Sequence, residues 1–291
     1  MGGTKILAGV VDRGGAIGET IEVPTPDASE GDILEAIAGL VERLAEGGAR
    51  GVGLGVPCNI VRDTGTCFRA TNLPLADVEF AGPLRERTGL PVGVENDANA
   101  AALAEWRLGA GRGVDHLVML TLGTGVGGGL VLDGRLYRGW AELGHVVVDA
   151  GGAPCQGNCH GRGHLEAVAS GLAADRAARE LWGDGASAVD LVARAGAGDA
   201  DARAALARIG ELLGAAIGSF VNMFDPEVIV VGGGFGAAAG DLLLEPARDA
   251  AAREAIQPAD ERVRIVQAAF GEEAGLVGAG LVGFEALDGL R

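Results

Sequence analysis

Ile33, Leu34, Ile37, Leu40, Val41 and Leu44 recur at three- and four-residue spacing, which predicts an amphipathic helix over 30–46. Two shorter runs precede it. Lys5–Val11 and Ala16–Val23 predict strands joined at Asp12-Arg13-Gly14-Gly15, a hairpin signal. Gly51–Val56 is a buried strand that stops at Pro57. Val92–Glu95 is another, running into Asn96-Asp97 with a helix over Ala98–Leu108 behind. His116–Leu122 and Leu130–Leu132 flank a glycine loop, and Asp133-Gly134 marks the next turn.

Past residue 165 the pattern turns helical, over 166–182, 187–195 and 200–224. Val228–Val231 is a strand, Gly232-Gly233-Gly234 a loop, and a helix and the strand Val263–Gln267 follow. A last helix covers 272–287. No Ser/Pro linker and no short repeat interrupts this order. Strands and helices that alternate in this way predict an α/β protein, here as two lobes with a cleft near residue 110. A small N-terminal lobe over 1–110 is expected to be completed by the C-terminal helix 272–291. A large lobe covers 111–271.

Composition narrows the class. The 52 glycines and 10 prolines of this 291-residue chain stay below the level of low complexity and sit at strand ends and turns. Forty acids against 23 bases leave a net charge of −17, which repels nucleic acid and anionic lipid headgroups. A local nest of backbone N–H groups can still bind ATP against that field. No apolar run approaches the roughly 18 residues of a membrane helix, no signal peptide is read, and four cysteines make no disulfide framework. A cytoplasmic protein is expected.

Three glycine loops are candidates for phosphate binding. Gly123-Thr124-Gly125-Val126-Gly127-Gly128 satisfies G-x-G-x-x-G, but a dinucleotide loop must open a helix. Here a strand and a turn follow, so a hairpin loop is expected, either a plain turn or one whose amides bind phosphate oxygens. Gly232-x-Gly234-x-x-Ala237 does stand between strand and helix. The acid that would hold a ribose is missing, because the next strand ends Val266-Gln267-Ala268-Ala269. Gly2-Gly3-Thr4-Lys5 is a third, weaker turn of this type.

Polar chemistry gathers in two places. Glu95-Asn96-Asp97-Ala98-Asn99 puts acids and amides where a strand meets a helix. Capping accounts for one of them; a carboxylate there could also take a proton from a sugar hydroxyl during phosphoryl transfer. Between Glu142 and Glu166 lie three of the four histidines and two of the four cysteines. His145, Cys155, Cys159 and His164 supply the two nitrogens and two sulfurs of a zinc tetrahedron, with His160 able to replace a neighbour. The plain alternative is a loop with reduced thiols. Cys58 and Cys67 are expected as buried thiols, and His116 as structural.

Taken together, these residues resemble the ROK family of bacterial sugar kinases and related repressors. The resemblance spans the whole chain. It rests on Leu122-Gly-Thr-Gly125-Val-Gly-Gly-Gly129, Glu142-Leu-Gly-His145, the Cys-rich segment, Leu165-Glu166 and Glu95-Asn-Asp-Ala-Asn99. Weaker matches are Gly55-Val-Pro57, Thr71-Asn-Leu-Pro74 and Pro226-Glu-Val-Ile-Val-Val-Gly-Gly-Gly234. It implies a two-lobed actin-like ATPase fold of the hexokinase type, with ATP, Mg2+ and sugar in the cleft and a structural Zn2+. Asp97 would be the general base toward the 6-hydroxyl. Asn96, Glu142, His145 and Glu166 would bind the other hydroxyls, with Gly65 and Asn72 closing over the ring. Gly3, Thr4, Lys5, Gly123, Thr124 and Gly125 would line the phosphates, and Gly232, Gly233 and Gly234 the adenosine.

Two departures stand out. The family's Cys-x-Cys-Gly-x-x-Gly-Cys is stretched by two residues between Cys155 and Cys159, and His164 replaces its last cysteine. A Cys2His2 site is therefore expected. The family also opens with a strand ending in an Asp two residues before Gly-Gly-Thr, and this N-terminal strand has no counterpart ahead of Met1-Gly2-Gly3-Thr4. A start site further upstream is expected. The resemblance implies an ATP-dependent hexose kinase, first for glucose, with mannose, fructose or an N-acetylhexosamine as alternatives. A homodimer or homotetramer is expected. A DNA-binding repressor is disfavoured by the charge, and a sugar-binding protein without catalysis remains an alternative.

Overall fold

The computed structural model describes residues 1–26, 29–61, 64–70 and 73–289, apart from the side chains of Ala259 and Asp260. The first half holds β1 (Lys5–Val11), β2 (Ile17–Pro24), α1 (Glu30–Ala45), β3 (Val52–Val56), β4 (Cys58–Val61), β5 (Thr66–Ala70) and β6 (Ala76–Val78). Then come α2 (Ala81–Thr88), β7 (Val92–Asn96) and α3 (Asp97–Arg107). Asp12 makes the first hairpin: its carboxylate accepts the N–H groups of Gly14 and Ala16. α1 buries Ile33, Ile37, Leu40 and Leu44, as its spacing predicts. The β4–β6 meander and α2 have no counterpart in the sequence reading. Their strands are three to five residues long, too short for a period to show.

The second half holds β8 (Leu117–Leu122), β9 (Val126–Leu132), β10 (Arg135–Leu136), α4 (Leu165–Ala169), α5 (Gly171–Trp182), α6 (Ala188–Gly196) and α7 (Ala200–Phe224). β11 (Val228–Gly232), α8 (Gly233–Ala239), α9 (Asp241–Glu254), α10 (Ala259–Arg262), β12 (Arg264–Gln267) and α11 (Ala274–Leu287) follow. Strands β10-β9-β8-β11-β12 form one sheet, with β11 parallel to both its neighbours and β9 antiparallel to β8. β11 is buried at every position, as expected for a strand covered on both faces.

Three expectations need correction. The helix expected over 166–182 breaks at buried Ser170, whose hydroxyl accepts the N–H of Ala173 and so starts α5. Cys58 and Cys67 are buried but not free thiols: β4 and β5 bring them together as a disulfide. α7 is long and apolar enough to cross a bilayer, against the expectation of no such run. More than half of that stretch is buried, because Gly210, Gly214 and Gly218 let α9 approach closely.

α3 is the central element. Its residues from Ala98 to Trp106 are all buried. Ala100 meets Gly278 of α11 on one side; Ala98 and Ala102 meet Gly129 of β9 on the other. At its C-terminal end the buried Glu105 carboxylate accepts the N–H groups of Ala110 (2.9 Å), Ala269 (3.0 Å) and Phe270 (2.8 Å). That contact fixes the entry to α11, which returns across β3, β7 and β1.

Among the described residues β1 pairs only with β2 and β3 only with β7. Their other edges face one cavity of about 1180 Å3. Leu276 and Gly280 of α11 pack at Gly9 and Val11, whereas Gly275, Ala279 and Gly283 pack at Gly55, Gly53 and Gly51. The two strands therefore run in opposite directions beneath one helix, with Ile37, Leu40 and Leu44 of α1 on the far wall. The chain start sits between them. Gly2 donates to Lys5 O (2.8 Å) around a turn at Gly3-Thr4, and the Met1 amino group donates to Gly55 O (2.7 Å).

An apolar segment of about six residues joined ahead of Met1 would pair with both free edges and be covered by α1 and α11. It is expected to stabilise the protein by about 2–3 kcal/mol, or roughly 5 °C, over an equally long segment interrupted by prolines. Thermal unfolding of the two fusions decides it. Equal midpoints would mean that no strand enters.

Candidate active site

β7 delivers the polar cluster to the cleft and α3 starts within it. Asn96 is the cap: its Oδ1 accepts the N–H groups of Ala98 (2.9 Å) and Asn99 (3.1 Å), and its Nδ2 donates to Cys58 O (3.3 Å). Glu95 is buried, and one of its oxygens accepts from Asn96 N and Asn99 Nδ2, both at 3.2 Å. Its other oxygen lies 3.2 Å from Nη1 of Arg138. Capping and this buried network account for three of the four polar side chains. Asp97 is left facing the cavity.

Asp97 keeps some accessible surface but is recessed enough that burial dominates its chemistry. Desolvation raises its pKa, opposed by the Met1 amino group and by backbone N–H groups. Burial lowers the pKa of that amino group, with Asp97 pulling the other way.

The β8–β9 hairpin forms the facing wall. Leu122 pairs with Val126, Gly123 N donates to Gly125 O (2.9 Å), and a strand follows, as the sequence predicts. Gly171 N at the start of α5 donates to Gly123 O (2.7 Å), and Gln156 Nε2 to Thr124 O (3.1 Å). Lys5, Gly123, Thr124, Gly233 and Gly234 line the same cavity as Asp97. Gly3 and Thr4 form the turn between Gly2 and Lys5, Gly125 O accepts the N–H of Gly123, and Gly232 ends β11 just before the lining Gly233. The Lys5 ammonium pairs at 2.9 Å with Glu22, which lines the same cavity.

Glu142 precedes a 3-10 turn, Leu143–His145, that brings it beside Asp97 and Glu166. Burial raises the Glu142 pKa; Asp97 and Glu166 push the same way, while His145 and an Asn59 hydrogen bond oppose. Glu166 accepts the N–H of Val126 (2.9 Å), anchoring α4 to the glycine hairpin. Gly65 occupies the β4–β5 turn with φ +70° and donates to Val61 O (2.8 Å). Asn72 lies outside the described residues.

Four residues at this site were not singled out from sequence: Asn59, Phe68, Arg138 and Trp140. Phe68 and Trp140 stack at 5.7 Å, and Trp140 Nε1 donates to Ile60 O (3.2 Å). A signal existed for two of them. In a chain with one Tyr and three Trp, Tyr137-Arg138-Gly139-Trp140 stands one residue ahead of the Glu142 motif.

His145, Cys155, Cys159 and His164 converge, with one donor atom of each within 4.8 Å of all the others. His145 Nδ1 is 3.3 Å from His164 Nδ1 and 3.8 Å from Cys155 Sγ; Cys159 Sγ is 3.4 Å from His164 Nδ1. Neighbouring ligands of a tetrahedral zinc lie about 3.3–3.8 Å apart, so the donors fit. Gly163, at φ +61°, passes so close to Asp149 O that no side chain fits there. Burial pushes the Cys155 thiol up to about 11, a setting in which a bound cation would favour the thiolate. His160 is exposed and outside the cluster.

Comparison with known proteins agrees along the whole chain. The ROK family model matches residues 1–283. The glucokinase of Thermotoga maritima is 36% identical over 99% of this chain and 97% of its own length. The N-acetylmannosamine kinase of Salmonella newport is 35% identical over 97% and 96%. A ROK family glucokinase from Streptomyces griseus, solved with glucose and AMPPNP, matches with a TM-score of 0.88 at 34% identity, covering 98% of this chain and 97% of that one. The two-lobed actin-like ATPase fold expected from sequence is the fold found. Matched by the family model over nearly its full length, the chain belongs to the ROK family.

Proposed function

We propose that the chain is a sugar kinase that transfers the γ-phosphoryl group of ATP to the 6-hydroxyl of a hexose, with glucose as its substrate. One observation carries this reading: the recessed Asp97 and the Gly123-Thr124 turn line the same cavity. Asp97, its pKa raised by burial, takes the hydroxyl proton as the nucleophile forms. Asn96, Glu142, His145 and Glu166 hold the remaining hydroxyls, with Gly65 over the ring. The turn at Gly3-Thr4-Lys5 and the Gly123–Gly125 hairpin receive the phosphates, and Gly232–Gly234 the adenosine. Mg2+, bound with ATP, supplies charge neutralisation at the phosphates.

A second reading, a kinase for another hexose, rests on the N-acetylmannosamine kinase among the relatives. The residues named here orient a pyranose without fixing every substituent. Zinc is the cation that best suits two thiols and two imidazoles. His145, Cys155, Cys159 and His164 would hold it, and it would set the position of His145 without taking part in the chemistry.

ADP release with magnesium-ATP and glucose, beside Asp97→Asn, tests the reading. Wild-type turnover and at least a hundredfold loss in the variant are expected; equal turnover would remove Asp97 as the base. Because burial raises the folded-state pKa of Asp97, the folded protein loses relative stability as pH climbs from the unfolded toward the folded value. Asp97→Asn escapes that loss. Its thermal midpoint should equal wild type near pH 4 and exceed it increasingly toward neutral pH. The acid limb of kcat/KM should sit above the ordinary Asp range of about 3.9.

Metal analysis should find about one zinc per chain, lost in Cys159→Ala. With the metal gone, KM for the sugar is expected to rise several-fold while KM for ATP stays. Purified protein that carries and binds no zinc would refute the assignment.

A further inference from the structure

Arg138 lies on the segment after β10, four residues before Glu142. Its guanidinium forks between two acids that come from elsewhere in the chain. Nη1 lies 3.2 Å from Glu95 Oε2, and Nη2 donates to Glu285 Oε2 at 2.6 Å. The Glu95 side chain is only 5% exposed and that of Glu285 19%. A carboxylate as buried as Glu95 is stable as an ion only beside a cation that also hydrogen-bonds it.

Glu95 is more than a partner for charge. Its second oxygen accepts from the backbone of Asn96 and the side chain of Asn99, the residues either side of the turn that presents Asp97. Glu285 belongs to α11, the helix packed along α3 through Gly278 and Ala100. One guanidinium thus touches the strand that leads into Asp97 and the helix behind α3, and it belongs to the segment that carries Glu142 and His145.

We propose that Arg138 is a positioning residue that sets the distance between Asp97 and the sugar-holding segment, acting through Glu95. This rests on Asp97 being the base. Arg138 itself touches neither Asp97 nor Glu142 through any hydrogen bond in the structure. Two carboxylates in different directions suit the planar fork of arginine; a lysine ammonium, a point charge on a shorter stem, lacks the fixed geometry that holds both in place. Displacement of a reacting group by about 1 Å costs on the order of a hundredfold in rate. Loss of the fork should therefore lower kcat and leave KM for ATP alone.

The test compares Arg138→Lys, Arg138→Gln, Glu95→Gln and the double variant Arg138→Gln/Glu95→Gln. Tenfold or greater loss of kcat is expected in both Arg138 variants, with KM for ATP within about twofold of wild type. The double variant should be no slower than the worse single one, because both break the same linkage. Multiplying losses would mean that Arg138 acts independently of Glu95, and unchanged kcat would mean it does not position the base; either overturns the proposal. Hydrogen exchange over 92–100 gives a readout free of turnover. Arg138→Gln should speed exchange there while thermal unfolding stays cooperative. Unaltered exchange in a folded Arg138→Gln would overturn the proposal even in a protein without activity. Turnover retained by Asp97→Asn would fail the base assignment separately.

Discussion

Everything in this molecule is measured from α3. It is a short helix with no exposed face to spare, and alanine and glycine at its contacts bring α11 and β9 to within backbone distance. Close approach on two sides removes the sliding freedom that larger side chains would allow. Asp97 therefore starts a helix that cannot shift without moving both neighbours. At the other end Glu105 gathers three N–H groups and fixes where α11 begins. Asp97 and Glu105, the acid that faces the cavity and the acid that builds, stand eight residues apart on one buried rod.

The long elements were legible because their chemistry repeats. α1 shows its buried stripe at regular spacing, and β8 and β11 announce themselves as largely apolar runs. The β4–β6 meander did not, since three- to five-residue strands carry too few positions for a period. The break at Ser170 was hidden by apolar residues on both sides of it. Cys58 and Cys67 looked like unrelated thiols because only the hairpin register brings them together.

The site divides along the same line. Motifs whose residues are neighbours in sequence were readable: the Glu95–Asn99 cluster, the glycine hairpin, the His/Cys loop. The hairpin was separable from a dinucleotide loop because the next residues spell a strand, and the register of β8 on β9 agrees. Pairs that meet across the fold carried no local mark. Arg138 reaches acids at positions 95 and 285, and Asn59 reaches Glu142 from another strand. Only the folded backbone makes those neighbours.

Trp140 gives the molecule an optical property. Of its three indoles, Trp106 lies under the Arg107 guanidinium at 3.9 Å and Trp182 under Arg194 at 4.2 Å, both away from the cleft. Trp140 is half exposed, stacked on Phe68, and bonded to the backbone of β4. Any motion that parts the β4–β5 hairpin from the Glu142 segment strips one indole of its stacking partner and leaves the other two alone. Intrinsic emission therefore carries a signal for the opening of the cleft without any label attached.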